Sequence, residues 1–219
     1  MQVISPADLV CLNDLTATHP ITIDLVYADA NHPRNIFKKA IYRREAKFWL
    51  HRDLAGIVLL ASQKLNAQFG YTLELKDGLR TVEAQEAIWA TDIMKAHPEW
   101  ADLHLFARPG GGGHPRGMAV DVGVRDKNGN EIDMGVPFDY FSDDPAINPA
   151  ARDFTGFPET ILQNRRDLET AFGQSAAELN LPIYPLPSEW WDFRFPKDIV
   201  TAHAPIYDVD LPDDMKMTA

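Results

Sequence analysis

Hydrophobic positions divide the chain into a few stretches of distinct period. Leu50, Leu54, Ile57, Val58, Ala61, Leu65 and Phe69 recur at three- and four-residue steps, the spacing of a helix with one buried face, and Gly70 stops it. Leu73-Glu74-Leu75-Lys76-Asp77 alternates instead, as a short strand does. Thr81 suits the N-cap of a second helix, Val82 to about Lys95, which ends before Pro98. Met118 to Val124 is strand-like, and Asn128-Gly129 is a turn signal into Glu131-Ile132-Asp133-Met134. A third helix is predicted from about Ile161 to Leu179, followed by strand-like Ile183-Tyr184 and Glu189 to Phe195. Near the N-terminus Thr22 to Tyr27 is β-like, and the polar stretch from Ala28 to Asn35 carries Pro33, which disfavours a helix.

Helices and strands do not alternate as repeated βαβ units, so the expectation is α+β: a single compact domain over 1–219, with a small antiparallel sheet flanked by helices. Its core is expected at about 20–196. Pro137 to Pro158 reads as an irregular surface loop, and the acidic, proline-dotted tail 197–219 is expected to drape over the surface.

Composition removes several function classes. A formal net charge of -11 argues against nucleic acid, which needs clustered Lys and Arg. The single cysteine, Cys11, excludes an internal disulfide and a cysteine-rich metal cage, and reads as a buried or idle thiol. No run approaches the roughly 18 apolar residues of a membrane span, and the first residues lack a basic n-region. A bacterial cytoplasmic protein is expected, or a periplasmic one had a leader been removed. Oligomeric state is not readable.

Two segments carry candidate chemistry. His114-Pro115-Arg116-Gly117-Met118-Ala119-Val120-Asp121 follows four glycines, so a flexible loop could fold an imidazole back towards a strand carboxylate seven residues on. Imidazole and carboxylate suit zinc, although a surface histidine beside a solvated aspartate would share that spacing. Ser188-Glu189-Trp190-Trp191-Asp192-Phe193 places two carboxylates three apart around adjacent tryptophans. On a regular strand residues three apart face opposite ways, so Glu189 and Asp192 can share one site only across a bend or bulge. A tryptophan-rich core strand with exposed acids is the plainer alternative. His19, His32, His51 and His97 read as surface residues, and Trp49, Trp89 and Trp100 as packing.

Taken together, these segments resemble a known family. Asp77-Gly78-Leu79-Arg80, the run from His114 to Asp121, Asp133-Met134-Gly135 with Phe138-Asp139, and Glu189-Trp190-Trp191 look like the D-alanyl-D-alanine dipeptidases, the VanX-type branch of the zinc D,D-peptidases. Asp24-Leu25-Val26-Tyr27-Ala28 and Asn164-Arg165-Arg166 are similar too, in the right order over about 25 to 195. The resemblance implies a compact Hedgehog/DD-peptidase-like fold, one Zn2+ per chain, and cleavage of D-Ala-D-Ala or a close cell-wall dipeptide. It matches His114 and Asp121 to metal ligands, Glu189 to the general base and Arg80 to the residue stabilising the transition state. Asp139, Tyr27 and Trp191 fall where substrate would be bound. The partner implied is the small dipeptide alone, with no membrane and no nucleic acid.

The pattern breaks at Asp192, where the family carries a histidine as third ligand. A His, Asp, Asp set is harder and more negative, which shifts preference towards Mn2+ or Fe2+ and makes bound water less acidic. His203 or His104 could supply the missing nitrogen. A catalytically silent binding protein is one rival reading, and a peptidoglycan D,D- or L,D-carboxypeptidase another. Family members also carry a serine where this chain has Gly112, so recognition of the dipeptide is expected to differ.

Overall fold

The computed structural model describes residues 1–102, 106–142 and 147–219. Strands β1 (Leu9–Cys11) and β3 (Trp49–His51) form a small antiparallel pair. The main sheet has five strands in the order β2 (Ile21–Ile23), β4 (Thr72–Asp77), β5 (Ala119–Arg125), β7 (Asp192–Arg194) and β6 (Tyr184–Pro185). The α+β expectation holds, and β4, β5, β7 and β6 are antiparallel neighbours as expected. The β2–β4 pair is parallel instead. The chain between them runs through β3 and helix α1 (Arg52–Phe69), a crossover long enough to bring β4 back in the same direction.

Helix α1 matches its periodicity: Leu54, Ile57, Val58, Ala61 and Leu65 are buried, and Gly70 caps it at φ +72°, a conformation costly for other residues. Its partner is α5 (Glu159–Glu178), and the two pack together over one face of the sheet. In-register pairs show which strand residues meet them. Leu73 pairs with Val124 and Leu75 with Val122, while Phe193 pairs with Val120 and stacks on Phe172 of α5, ring centroids 3.8 Å apart. The opposite face is left for polar residues, beginning with Glu74 opposite Gly123.

Several local expectations change. The helix from Val82 breaks into α2 (Val82–Trp89) and α3 (Asp92–Ala96), because the Thr91 hydroxyl bonds back to Ile88 O at 2.7 Å and the chain restarts there. A four-residue turn, α4 (Glu99–Asp102), follows. Glu131 to Met134 makes only an isolated bridge, Arg125 to Glu131, not a strand. The tail is no loose drape. It forms α6 (Lys197–Ala202), then buries Leu211, Met215 and Met217, while Asp208 accepts hydrogen bonds from the Met217 and Thr218 amides. His51 is no surface residue either; it is partly buried, and its Nδ1 caps the start of α1. Among the described residues, no helix is long and apolar enough to cross a membrane.

Candidate active site

Three carboxylates lie side by side on the polar face of the sheet. Asp121 on β5 pairs in register with Asp192 on β7 and with Asp77 on β4. Strict alternation would turn Asp77 to the same face as Leu75. A register shift between Leu75 and Asp77, two residues of β4 against one step of β5, turns it to the Asp121 side. A β-bulge thus builds one edge of the site.

His114 arrives from the glycine loop as the first residue of a 3-10 turn ending at Gly117. The loop expected to be flexible is tied down. Arg116 donates to Gly110 O and Gly112 O, both at 2.9 Å, and Gln85 bonds Gly110 N at 2.7 Å and Gly111 O at 3.1 Å. Gly113 must be glycine, since a Cβ there would lie 2.8 Å from Ala119 Cβ and 2.9 Å from Met118 O. The Gly78 carbonyl can only accept, so His114 Nδ1–H donates to it at 2.8 Å. The other ring nitrogen, Nε2, faces Asp121 Oδ2 at 3.4 Å and Asp192 Oδ2 at 3.6 Å.

Glu189 precedes β7 in a turn, with its amide bonded to Leu186 O at 3.3 Å. This bend solves the facing problem posed by the three-residue spacing. Ligand atoms of Asp121, Glu189 and Asp192 lie within 4.8 Å of one another, as do those of Asp77, His114 and Asp121. A cavity of about 930 Å³ opens over this cluster and is lined by Arg80, His114, Asp121, Asp139, Glu189 and Asp192, among others.

Electrostatics point to a missing positive charge. Asp77, Asp121, Asp139, Glu189 and Asp192 converge here, with Arg80 and Arg194 bonded to the cluster and Arg108 and Lys197 also lining the cavity. Burial, then the neighbouring Asp192, Asp77 and Glu189, push the Asp121 carboxyl well above the aspartate range, and its Oδ1 has no hydrogen-bond partner. Burial and Asp192 likewise raise Glu189 to about 8. Burial raises Asp139 to about 7 against the opposing Tyr27 hydrogen bond. For Asp192, burial works upward too, but Arg194, by charge and hydrogen bonds, and His114 hold it below the usual value. Crowded carboxylates around an imidazole nitrogen, His114 Nε2, fit a divalent cation, which would offset most of this charge. Asp77, His114 and Asp121 on one side, and Asp121, Glu189 and Asp192 on the other, offer ligand atoms close enough together to hold one.

Arg80 is held by Asp77, which accepts from Nε at 2.9 Å and from Nη2, while Tyr42 donates to the other Asp77 oxygen at 2.5 Å. Nη2 of Arg80 is 3.9 Å from Asp121 Oδ2, so its charge borders the same cluster. Asp139 takes a left-handed backbone, φ 58°, rare for a residue with a side chain, and accepts a hydrogen bond from the Tyr27 hydroxyl. Tyr27 is fully buried behind Asp139. Trp191 is not in the cavity wall; it is buried against Phe138, ring centroids 5.8 Å apart, and edge-on to Trp190. Both tryptophans therefore pack inside, because β7 starts only at Asp192 and they precede its alternation.

The structure does not bring His203 into the cluster; its Nδ1 is bonded to Ile199 O at 2.9 Å. His104 lies outside the described residues. Two site residues escaped the sequence reading. The sequence marks Asp77 only as the end of a strand and the start of the Asp77-Gly78-Leu79-Arg80 segment, yet it stands with His114 and Asp121. Arg194 went unremarked, and it grips both oxygens of Asp192, Nε to Oδ1 at 2.6 Å and Nη2 to Oδ2.

Residues 7–210 match the peptidase M15 family model described as D-Ala-D-Ala dipeptidase. The chain is similar to D-alanyl-D-alanine dipeptidase of Escherichia coli (strain K12), 32% identical over 198 residues, covering 87% of this chain and 88% of that protein.

Proposed function

The chain belongs to the D-Ala-D-Ala dipeptidase family of M15 peptidases, and on that premise we propose that it hydrolyses D-Ala-D-Ala, or a close cell-wall dipeptide, using one divalent cation per chain. The observation that carries this reading is the meeting of His114, Asp121, Asp192 and Glu189 on one wall of one cavity.

His114 Nε2 and the carboxylates of Asp121 and Asp192 would hold the cation, with the His114 ring oriented by its Nδ1 contact to Gly78 O. When bound, it supplies Lewis acidity, acidifying water and polarising the scissile carbonyl. Two carboxylates beside one imidazole make the set harder than a histidine-rich one, so Mn2+ or Fe2+ competes with Zn2+.

Glu189 takes the proton from the attacking water and hands it to the leaving amine. Burial and Asp192 favour its protonated form, and positive charge in the cluster favours the carboxylate that a base needs. Arg80, aimed by Asp77, balances the negative charge growing on the carbonyl oxygen, a role worth a few kcal/mol. Asp139 receives the substrate ammonium group, oriented from behind by Tyr27. Trp191 acts through Phe138, keeping the Asp139 loop seated.

The test is release of D-alanine from D-Ala-D-Ala by the wild-type protein and by Glu189→Gln. Turnover lost by about a thousandfold in the variant, with metal still bound, supports the assignment. Equal turnover in the two proteins removes Glu189 from the mechanism.

A further inference from the structure

Arg194 has no part in the reaction as described, yet it lines the same cavity and is bound to a proposed ligand. Asp192 and Arg194 are two apart on β7, so both project from the face that carries Asp121. The guanidinium takes both Asp192 oxygens in a fork geometry and is only partly exposed. A dication held by His114, Asp121 and Asp192 carries no net charge, since two carboxylates cancel it. Its pull on a carbonyl oxygen is weakened accordingly. Arg194 returns one positive charge to that group of residues, at the ligand itself.

We infer that Arg194 is a positioning residue that neutralises Asp192, so that a His, Asp, Asp set keeps the electrophilic character of a set with one neutral ligand. The inference rests on Asp192 being a ligand. It separates two quantities that usually move together. Removing the guanidinium leaves a more negative pocket, which binds a cation more tightly. The bound cation is then a weaker Lewis acid, and turnover falls.

The experiment titrates the metal-free protein with Mn2+ and with Zn2+ by calorimetry, alongside kcat and KM for D-Ala-D-Ala. Arg194→Gln is expected to tighten metal binding by about tenfold while lowering kcat by at least about tenfold, with KM little changed. Arg194→Lys should restore most of kcat, and Asp192→His/Arg194→Gln, which has a neutral third ligand and no guanidinium, should recover turnover as well. Weaker metal binding in Arg194→Gln, as loss of local order would give, overturns the inference. So does unchanged binding with unchanged kcat. Asp192→Ala, run beside these, tests the ligand assignment separately: undiminished metal affinity there would remove the premise itself.

Discussion

Asp121 on β5 stands directly opposite Asp192 on β7, so two carboxylates occupy one rung of the sheet. Like charges facing each other across strands are destabilising, and here a third, Asp77, extends the row. Such a row is tolerable where cations are interposed. Arg80 and Arg194 serve its two ends, and His114 Nε2 faces its middle. The fold has concentrated negative charge where the proposed cation would be held, at the expense of stability without one.

That cost is measurable through Asp121→Asn. Removing the central charge relieves the repulsion, so the metal-free variant should melt higher than the metal-free wild type. Its metal affinity should fall by about a hundredfold or more. Thermal melts with and without one equivalent of cation check both signs together.

The metal-free protein should also lose stability as pH rises. Asp139 and Glu189 have folded pKa values of about 7 and about 8, above those of free carboxyls. Between roughly pH 4 and 8 the folded state therefore binds more protons than the unfolded chain, and stability falls through that window. Asp192 works in the opposite sense, but its carboxyl is held low, so its contribution is lost only below the ordinary aspartate range. A melting temperature that declines from pH 5 to 8, and flattens when cation is added, is the expected result.

Arg80→Met should lower kcat by about a hundred- to a thousandfold with little change in metal affinity. Asp77→Asn should reach a similar defect indirectly, because Arg80 and Tyr42 both lean on Asp77. Steady-state kinetics with metal analysis separate this from ligand loss.

Arg165 pins the loop that carries Asp139. It donates to Met134 O at 2.8 and 2.6 Å, Pro149 O at 2.9 Å and Ala151 O at 3.1 Å. Arg165→Ala removes these donors, leaving Ala151 O with only the Phe154 amide at 3.2 Å, and should cost about 2 to 4 kcal/mol of stability. KM should rise several-fold while kcat is largely kept, as measured on D-Ala-D-Ala.

Local signals in the sequence reached most of the frame. The spacing from Leu50 to Phe69 and the glycine after it mark α1, and the alternation around Val120 and Val122 marks β5. His114, Asp121, Glu189 and Asp192 were all visible as candidates, though their convergence depends on a turn at Leu186–Glu189 that no periodicity announces. Asp77 was misjudged because a bulge turned it to the other face. Arg194 is legible in principle: residues two apart on a strand share a face, and Asp192 is a candidate ligand two positions before it. The buried tail was missed for a different reason. Leu211, Met215 and Met217 are scattered among acids and prolines, so their burial depends on tertiary contacts such as Arg43 N to Met217 O at 2.8 Å.

The measurement closest to the central claim is D-alanine release from D-Ala-D-Ala as the metal-free protein is titrated with Zn2+, and in parallel with Mn2+. The account predicts turnover that rises linearly and saturates at one equivalent per chain with at least one of these ions. Tight binding of one ion of each kind with no D-alanine released would contradict it.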